Sequence, residues 1–465
     1  MTSIQMIVGS VARGEKSARA WVEEALQRAE ASEQYHALLS LTRERALERA
    51  DAVDRGEVTG SLAGVPFVVK DNFLAFGAPT TAASKMLEHF DAPLQATAVE
   101  KLEAEGAICI GKANLDAFAH GGSTENSAFG VTHNAVDQAR VAGGSSGGSA
   151  VVTALDIVPF ALGSDTGGSI RQPASFNGVY GVKPTYGAVS RYGVVAMASS
   201  TDTIGCFART AEDTALVMSI MADKDVRDMT TVDNIDMSVK PLVHPLKIGI
   251  IKETMTDDVA SDVRQAVTDY AAQLRTLGHV VDEVSLPMSR YALAMYYIIV
   301  PAEVSSNLAR YDGVRYGHRA EGAKTLAELY GQSRDQGFMT ENKRRIMIGS
   351  YVLSSGYFDA YYQQAQKART LLIREYDALF ADYDVLLTPT APTTAFGIGE
   401  NADDPVKMYL ADIMTVPASL AGLPALSVPA GTDSAGLPIG AQLIGQRRSD
   451  TLLLSLVHQM EAARG

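Results

Sequence analysis

Cysteine is scarce in this chain. Cys109 and Cys206 are the only two in 465 residues. Both stand among apolar neighbours, in "GAICIGK" and "DTIGCFART", which excludes a disulfide framework and suits a reducing compartment. Long apolar runs are also missing. No stretch approaches eighteen uninterrupted apolar residues, so no membrane-spanning helix is expected. The opening "MTSIQMIVGSVARGEKS" has no extended apolar core, so no secretory signal is expected either. Basic charge is in deficit, with 40 Lys+Arg against 54 Asp+Glu and a net charge of −14. Non-specific nucleic-acid affinity comes from clustered cations. The chain is therefore poorly suited to hold a polyphosphate backbone alone, and a partner would have to supply that contact. No internal repeat or low-complexity tract is present. Together these absences predict a cytoplasmic protein without membrane association.

What remains is a globular composition, 46% hydrophobic and 20% charged. Residues 17–55 carry apolar positions at helical spacing and predict two amphipathic helices, an N-terminal helical arm over 1–60. "VPFVVKD" (65–71) is short, β-branched and continuously apolar, as a buried strand is. "TAVEKLEAEGAICIGKAN" predicts a helix and then the strand "AICIG". "KIGIIKE", the helical pattern up to "RTLG", and "HVVDEVSL" form a strand–helix–strand unit. "REYDALFADYDVLLTPTAP" repeats helix then strand, and "LPALSVPAG" and "LPIGAQLIG" read as closing strands. Such alternation predicts an α/β fold, with one large domain over 61–465. Within it, 222–246 is a polar linker candidate and 318–370 a helical insertion.

Two glycine–serine clusters stand close together, "GGSSGGS" (143–149) and "GSDTGGSIRQPAS" (163–175). Flexible linkers share this composition, but the apolar run between the clusters demands burial, so they read as turns on a packed core. Three chemistries compete for them and their surroundings. "GAICIGK" (106–112) fits a phosphate-loop spacing, but Ala113 stands where Ser or Thr should meet the metal, and the apolar middle reads as a strand. Gly143, Ser145 and Gly147 fit the nucleophile elbow of α/β-hydrolases. That motif needs a strand before the serine and a histidine downstream; a polar loop precedes it, and His244, His279, His318 and His458 are the available histidines. The third reading needs no histidine. The backbone N–H groups of Thr166, Gly167, Gly168 and Ser169 can converge as an oxyanion hole, since glycines permit the required bend. Lys70 closes an apolar run, where burial favours the neutral amine. Ser145 could relay a proton between Lys70 and Ser169, because a hydroxyl both donates and accepts.

"GVPFVVKDN", "GGSSGGS" and "GSDTGGSIRQPAS", in that order, resemble the amidase signature family over residues 10–460. The resemblance implies a large mixed central β-sheet covered by helices on both faces. It makes Ser169 the acyl-forming nucleophile, Ser145 the bridging serine on a cis peptide, and Lys70 the base, with no metal. "GKANLDAFAHGGSTENSAFGVTHN", "GVKPTYGAVSRYGVVAMASSTDTIG" and "RRIMIGSYVLSSGYFDAYYQQAQKAR" are similar, within that family, to the A-type subunits of glutamyl-tRNA(Gln)/aspartyl-tRNA(Asn) amidotransferases. That similarity implies a glutaminase in a heterotrimer with a tRNA-binding, ATP-using subunit and a small bridging subunit. Ammonia from glutamine would then convert misacylated Glu-tRNA(Gln) or Asp-tRNA(Asn) to the amide. ATP and Mg2+ belong to the partner, tRNA is met only through the complex, and no cofactor is implied in this chain. Arg345, Asp412 and Tyr296 are implied as glutamine-binding residues. The chemistry agrees: a zwitterion asks for a cation and an anion, and arginine can clamp a carboxylate. His120 departs from the family pattern, which has a small or apolar residue there. A stand-alone amidase for a small amide and a catalytically silent scaffold are the alternatives.

Overall fold

A computed structural model describes residues 2–464. Among them, eleven strands form one mixed sheet: β1 (Leu38–Leu41), β2 (Pro66–Lys70), β3 (Ile108–Ala113), β4 (Phe160–Asp165), β5 (Tyr180–Lys183), β6 (Thr203–Ala208), β7 (Lys247–Ile251), β8 (Val280–Val284), β9 (Val385–Pro389), β10 (Ala425–Thr432) and β11 (Pro438–Gly445). Their order is β1-β3-β2-β4-β6-β5-β10-β11-β9-β7-β8. Parallel pairs β3-β2-β4 and β9-β7-β8 flank an antiparallel centre running from β4 to β9.

β2, β3 and β9 read as largely apolar runs because both their faces are covered. Side chains alternate across a strand. Phe67 and Val69 of β2 join Phe160 and Leu162 of β4 in one core, which takes in helix residues Val99, Val217, Leu274 and Leu454. The Phe67 and Phe160 rings stack at 5.2 Å. Val68, Ala161, Ile108 and Ile110 face the other way, against Val22, Leu26, Ala46 and Val151. Helices therefore cover both faces of the sheet.

The amino-terminal sixty residues are not purely helical. Between helices Ala18–Ala31 and Arg43–Asp54, β1 pairs antiparallel with β3 and forms one edge of the sheet. A further helix, Ile4–Ala12, precedes them. Residues 223–246 form no helix or named strand, yet Met237 and Leu246 are buried in the main core, so this polar stretch is a strap laid across it. Helices Leu326–Gly337, Thr340–Val352 and Gln363–Leu379 fill the region after Arg310. The phosphate-loop spacing at 106–112 falls on β3, where Lys112 is buried and paired with Asp71 at 2.9 Å. Among the described residues, no helix is long and apolar enough to cross a membrane. Both cysteines are buried and free.

Candidate active site

Lys70 ends β2 on the same face as Val68, the face that packs against helix Gly147–Ala154. Its amine donates to Ser145 Oγ at 2.8 Å, to Ser164 Oγ at 3.0 Å and, more distantly, to the Ser164 carbonyl at 3.4 Å. Asn72 Nδ2 also donates to Ser164 Oγ, at 3.1 Å. Burial pushes the Lys70 pKa down to about 7, against the opposing pull of Asp116, Asp165 and Asp202. A neutral amine is therefore abundant near neutral pH.

Ser145 is fully buried and follows a cis Gly144–Ser145 peptide. Its segment is pinned on both sides. The Asp116 N–H donates to the Ser145 carbonyl at 3.2 Å, and Gly144 N–H donates to Gln172 Oε1 at 2.9 Å. Ser146 N–H donates to the Ser169 carbonyl at 3.1 Å, which ties the two serine clusters together. Among the histidines raised by the hydrolase spacing, none is hydrogen-bonded to Ser145, and two have other partners. His279 bridges Leu246 N and Gln459, and His318 meets Gln336. Lys70, not an imidazole, is the group in contact with Ser145.

The second cluster is a tight loop between β4 and the helix Arg171–Asn177. Asp165 closes it, accepting from Ile170 N–H at 3.1 Å and pairing with Arg171 through Nε at 3.0 Å and Nη2 at 2.8 Å. Both side chains are fully buried, and the Arg171 charge holds the Asp165 carboxyl below its ordinary range in spite of burial. Arg171 continues outward to Gln442 Oε1 (2.6 Å), the Thr415 carbonyl (2.8 Å) and Ser419 Oγ (2.7 Å). Sequence reasoning missed this anchor; its signal was an Asp and an Arg six residues apart in an otherwise small, apolar motif. Ser169 keeps 8% exposure, and among the described residues its hydroxyl has no hydrogen-bond partner. The N–H groups of Thr166, Gly167, Gly168 and Ser169 likewise have no acceptor among the described residues. Gly168 has φ +153, and a Cβ there would overlap Thr415 Oγ1 and lie 3.2 Å from Asp412 Oδ1. Only glycine fits.

Asp412 is thus beside the loop that carries Ser169. It lines a cavity of about 350 Å³ together with Asp116, His120, Tyr297, Arg345 and Tyr409. Arg345 is buried, with Nε 2.9 Å from Glu341, and its guanidinium lies over the Tyr297 and Tyr409 rings at 5.4 and 5.8 Å. Burial pushes the Asp412 carboxyl up to about 8, partly opposed by Arg345, and its Oδ1 has no hydrogen-bond partner. Tyr296 lies behind the loop, where a Cβ on Gly167 would come 2.7 Å from its ring. Its neighbour Tyr297 faces the cavity instead, stacked on Tyr409 at 3.9 Å. A second cavity of about 230 Å³ is lined by Asn72, Ala119, Ser164 and Thr166. A base–serine pair, an unpartnered serine, free backbone donors and a charged pocket therefore meet at one loop, the equipment of acyl transfer.

The sequence profile of the amidase family matches residues 20–454. The chain belongs to that family. A curated relative, the A-type subunit of the glutamyl-tRNA(Gln) amidotransferase of Nostoc punctiforme, is 51% identical over 100% of this chain and 98% of its own length. The crystal structure of the corresponding glutamyl-tRNA(Gln) amidotransferase subunit from Thermotoga maritima superposes with a TM-score of 0.80 at 38% identity, covering 99% of this chain and 94% of that one. A bacterial aryl acylamidase of the amidase signature enzymes gives 0.87 at 26% identity, covering 99% and 96%.

Proposed function

We propose that this amidase-family chain is the glutamine-hydrolysing subunit of an aminoacyl-tRNA amidotransferase. The observation that carries the reading is that buried Arg345 and half-buried Asp412 line one cavity against the Ser169 loop. A guanidinium and a carboxyl that ionises against an ammonium, facing the same space, suit a zwitterionic amino acid better than a simple amide. The full-length similarity to A-type subunits of such enzymes supports the same choice.

The proposed chemistry follows from the contacts. A neutral Lys70 amine has two hydrogens, for Ser164 Oγ and the Ser164 carbonyl, and turns its lone pair to the Ser145 hydroxyl. As Ser169 Oγ attacks the glutamine side-chain carbonyl carbon, its proton passes to Ser145 while the Ser145 proton passes to Lys70. The carbonyl oxygen becomes an oxyanion held by the N–H groups of residues 166–169. Collapse of the adduct breaks the C–N bond, and the returned proton leaves with ammonia. Water then repeats the sequence on the acyl-enzyme and releases glutamate. Asp412 receives the α-ammonium, Arg345 the α-carboxylate, and Tyr296 backs the loop that presents Ser169.

Ammonia then serves a partner subunit that binds tRNA, ATP and Mg2+, joined through a small bridging subunit, in the cytoplasm. Glu-tRNA(Gln), Asp-tRNA(Asn) or both are the acceptors. Glutamine turnover by the purified chain, with and without those subunits, mischarged tRNA and ATP, tests this. Turnover should rise on assembly. Full-rate hydrolysis of butyramide by the chain alone, unaffected by partners, would favour a stand-alone amidase.

A further inference from the structure

His120 lines the Arg345–Asp412 cavity and is fully buried. Its Nε2 is a buried polar atom without a hydrogen-bond partner. Its Nδ1 lies 2.6 Å from Asn342 Nδ2. The orientation of the Asn342 amide is fixed by two backbone groups: Oδ1 accepts from Met339 N–H at 3.1 Å, and Nδ2 donates to the Ala117 carbonyl at 2.8 Å. The amide nitrogen therefore faces His120, and a nitrogen of an amide can only donate. His120 Nδ1 must accept. In a neutral imidazole the proton then sits on Nε2, as an N–H donor with nothing to donate to. Burial, reinforced by the Arg345 charge, holds the imidazole well below its ordinary pKa, so the ring is neutral.

The backbone that delivers this ring is itself unusual. Phe118 and Ala119 both adopt positive φ, 54° and 63°. Left-handed non-glycine residues are costly and persist where surrounding structure enforces them. Here Asp116 enforces the turn, accepting from Thr124 N–H at 2.9 Å and Asn126 N–H at 3.0 Å, while Asn126 Nδ2 donates to the His120 carbonyl at 2.9 Å. Asn342 and Arg345 lie three residues apart on helix Thr340–Val352 and so share a face. The ring held by Asn342 is thereby set on the Arg345 side of the cavity.

We infer that His120 is a specificity-determining residue whose Nε2–H donates a second hydrogen bond to the substrate α-carboxylate held by Arg345. The inference rests on the glutaminase reading, and it names which end of the amino acid the ring reads. A buried neutral donor adds affinity for a carboxylate without adding charge, and a hydrogen bond to a charged group is among the stronger kinds.

The test measures kcat and KM of the full-length chain for glutamine and for butyramide, in the parent, His120→Leu and His120→Gln proteins. Leucine removes the donor; glutamine can accept from Asn342 through its carbonyl and still donate into the cavity. His120→Leu should raise KM for glutamine roughly ten- to hundredfold, with kcat changed only a few-fold and butyramide unaffected. His120→Gln should recover most of the loss. A merely structural histidine would lower kcat on both amides together, and that outcome, or an unchanged glutamine KM in His120→Leu, overturns the inference while leaving the glutaminase reading intact. If His120→Leu fails to fold, His120→Gln decides: a glutamine KM raised as much as kcat for butyramide falls would overturn it, and a near-parental KM on both supports it. A parent protein that prefers butyramide to glutamine sinks both.

Discussion

Replacing Lys70 by methionine should destroy activity and, at the same time, stabilise the fold. Lys70 is fully buried, and its pKa falls from 10.5 to about 7 because burial disfavours the ammonium. At pH 7 an ordinary lysine is neutral in roughly one molecule in 3,000, whereas Lys70 is neutral in about half. That enrichment of the base is set against stability. Between about pH 7 and 10.5 the unfolded chain holds a proton on this amine that the folded chain does not, so the Lys70 contribution to stability rises with pH across that window. Relative to an unperturbed lysine, the penalty on folding is about 4 kcal/mol at pH 7 and about 2 kcal/mol at pH 9. Methionine removes the penalty but forfeits the hydrogen bonds to Ser145 and Ser164, each worth about 1 kcal/mol. The net expectation at pH 7 is about 2 kcal/mol of added stability, fading towards pH 9. Denaturant midpoints of the two proteins at pH 7, 8 and 9 measure it. On the activity side, loss of a general base should cost about 100- to 10,000-fold, and the parent kcat/KM should climb through about pH 7 and then level. A Lys70→Met protein that is less stable at pH 7, or an advantage that grows with pH, would refute the argument that burial neutralises this amine.

Three further outcomes follow from the same geometry. Gly168→Ala should lose about 2 kcal/mol or more and most activity, since its Cβ collides with Thr415 in a region of φ that alanine avoids; thermal melting and acyl-enzyme burst amplitude check both. Arg171→Ala should cost about 3–5 kcal/mol by leaving Asp165 buried and unpaired, and Arg171→Lys should recover little of it, because one ammonium cannot replace the contacts to Asp165, Thr415, Gln442 and Ser419; denaturant midpoints of the three proteins measure both. Burial pushes the Asp412 carboxyl up to about 8, so below that pH binding an ammonium must first expel its proton. KM for glutamine should therefore fall as pH rises from about 6 to about 8, while KM for butyramide stays flat in the same buffers.

Local pattern was enough to make several features legible in the sequence. β2, β3 and β9 announced themselves as mainly apolar runs, because strands covered on both faces favour apolar residues along most of their length. The two glycine–serine clusters marked close-packed backbone, and Lys70 at the end of an apolar strand marked a desolvated amine. β1 was invisible for the opposite reason. "LLSL" is short and only half-buried, and it is a strand because β3, far along the chain, pairs with it. The same limit applied at the site. Lys70 meets Ser145 across 75 residues, and Thr415 meets Gly167 across 248. Nothing in the spacing says that Ser164 and Asn72 complete the lysine's surroundings, that Tyr297 and not Tyr296 faces the cavity, or that Asn342 fixes the proton of His120. Which groups are able to carry out acyl transfer could be read from the residues alone, since that depends on side-chain chemistry and on backbone freedom written locally in Gly and Ser. Which of them meet, and what charge each carries, is settled by the folded chain, because burial and contact belong to the surroundings and not to any one segment.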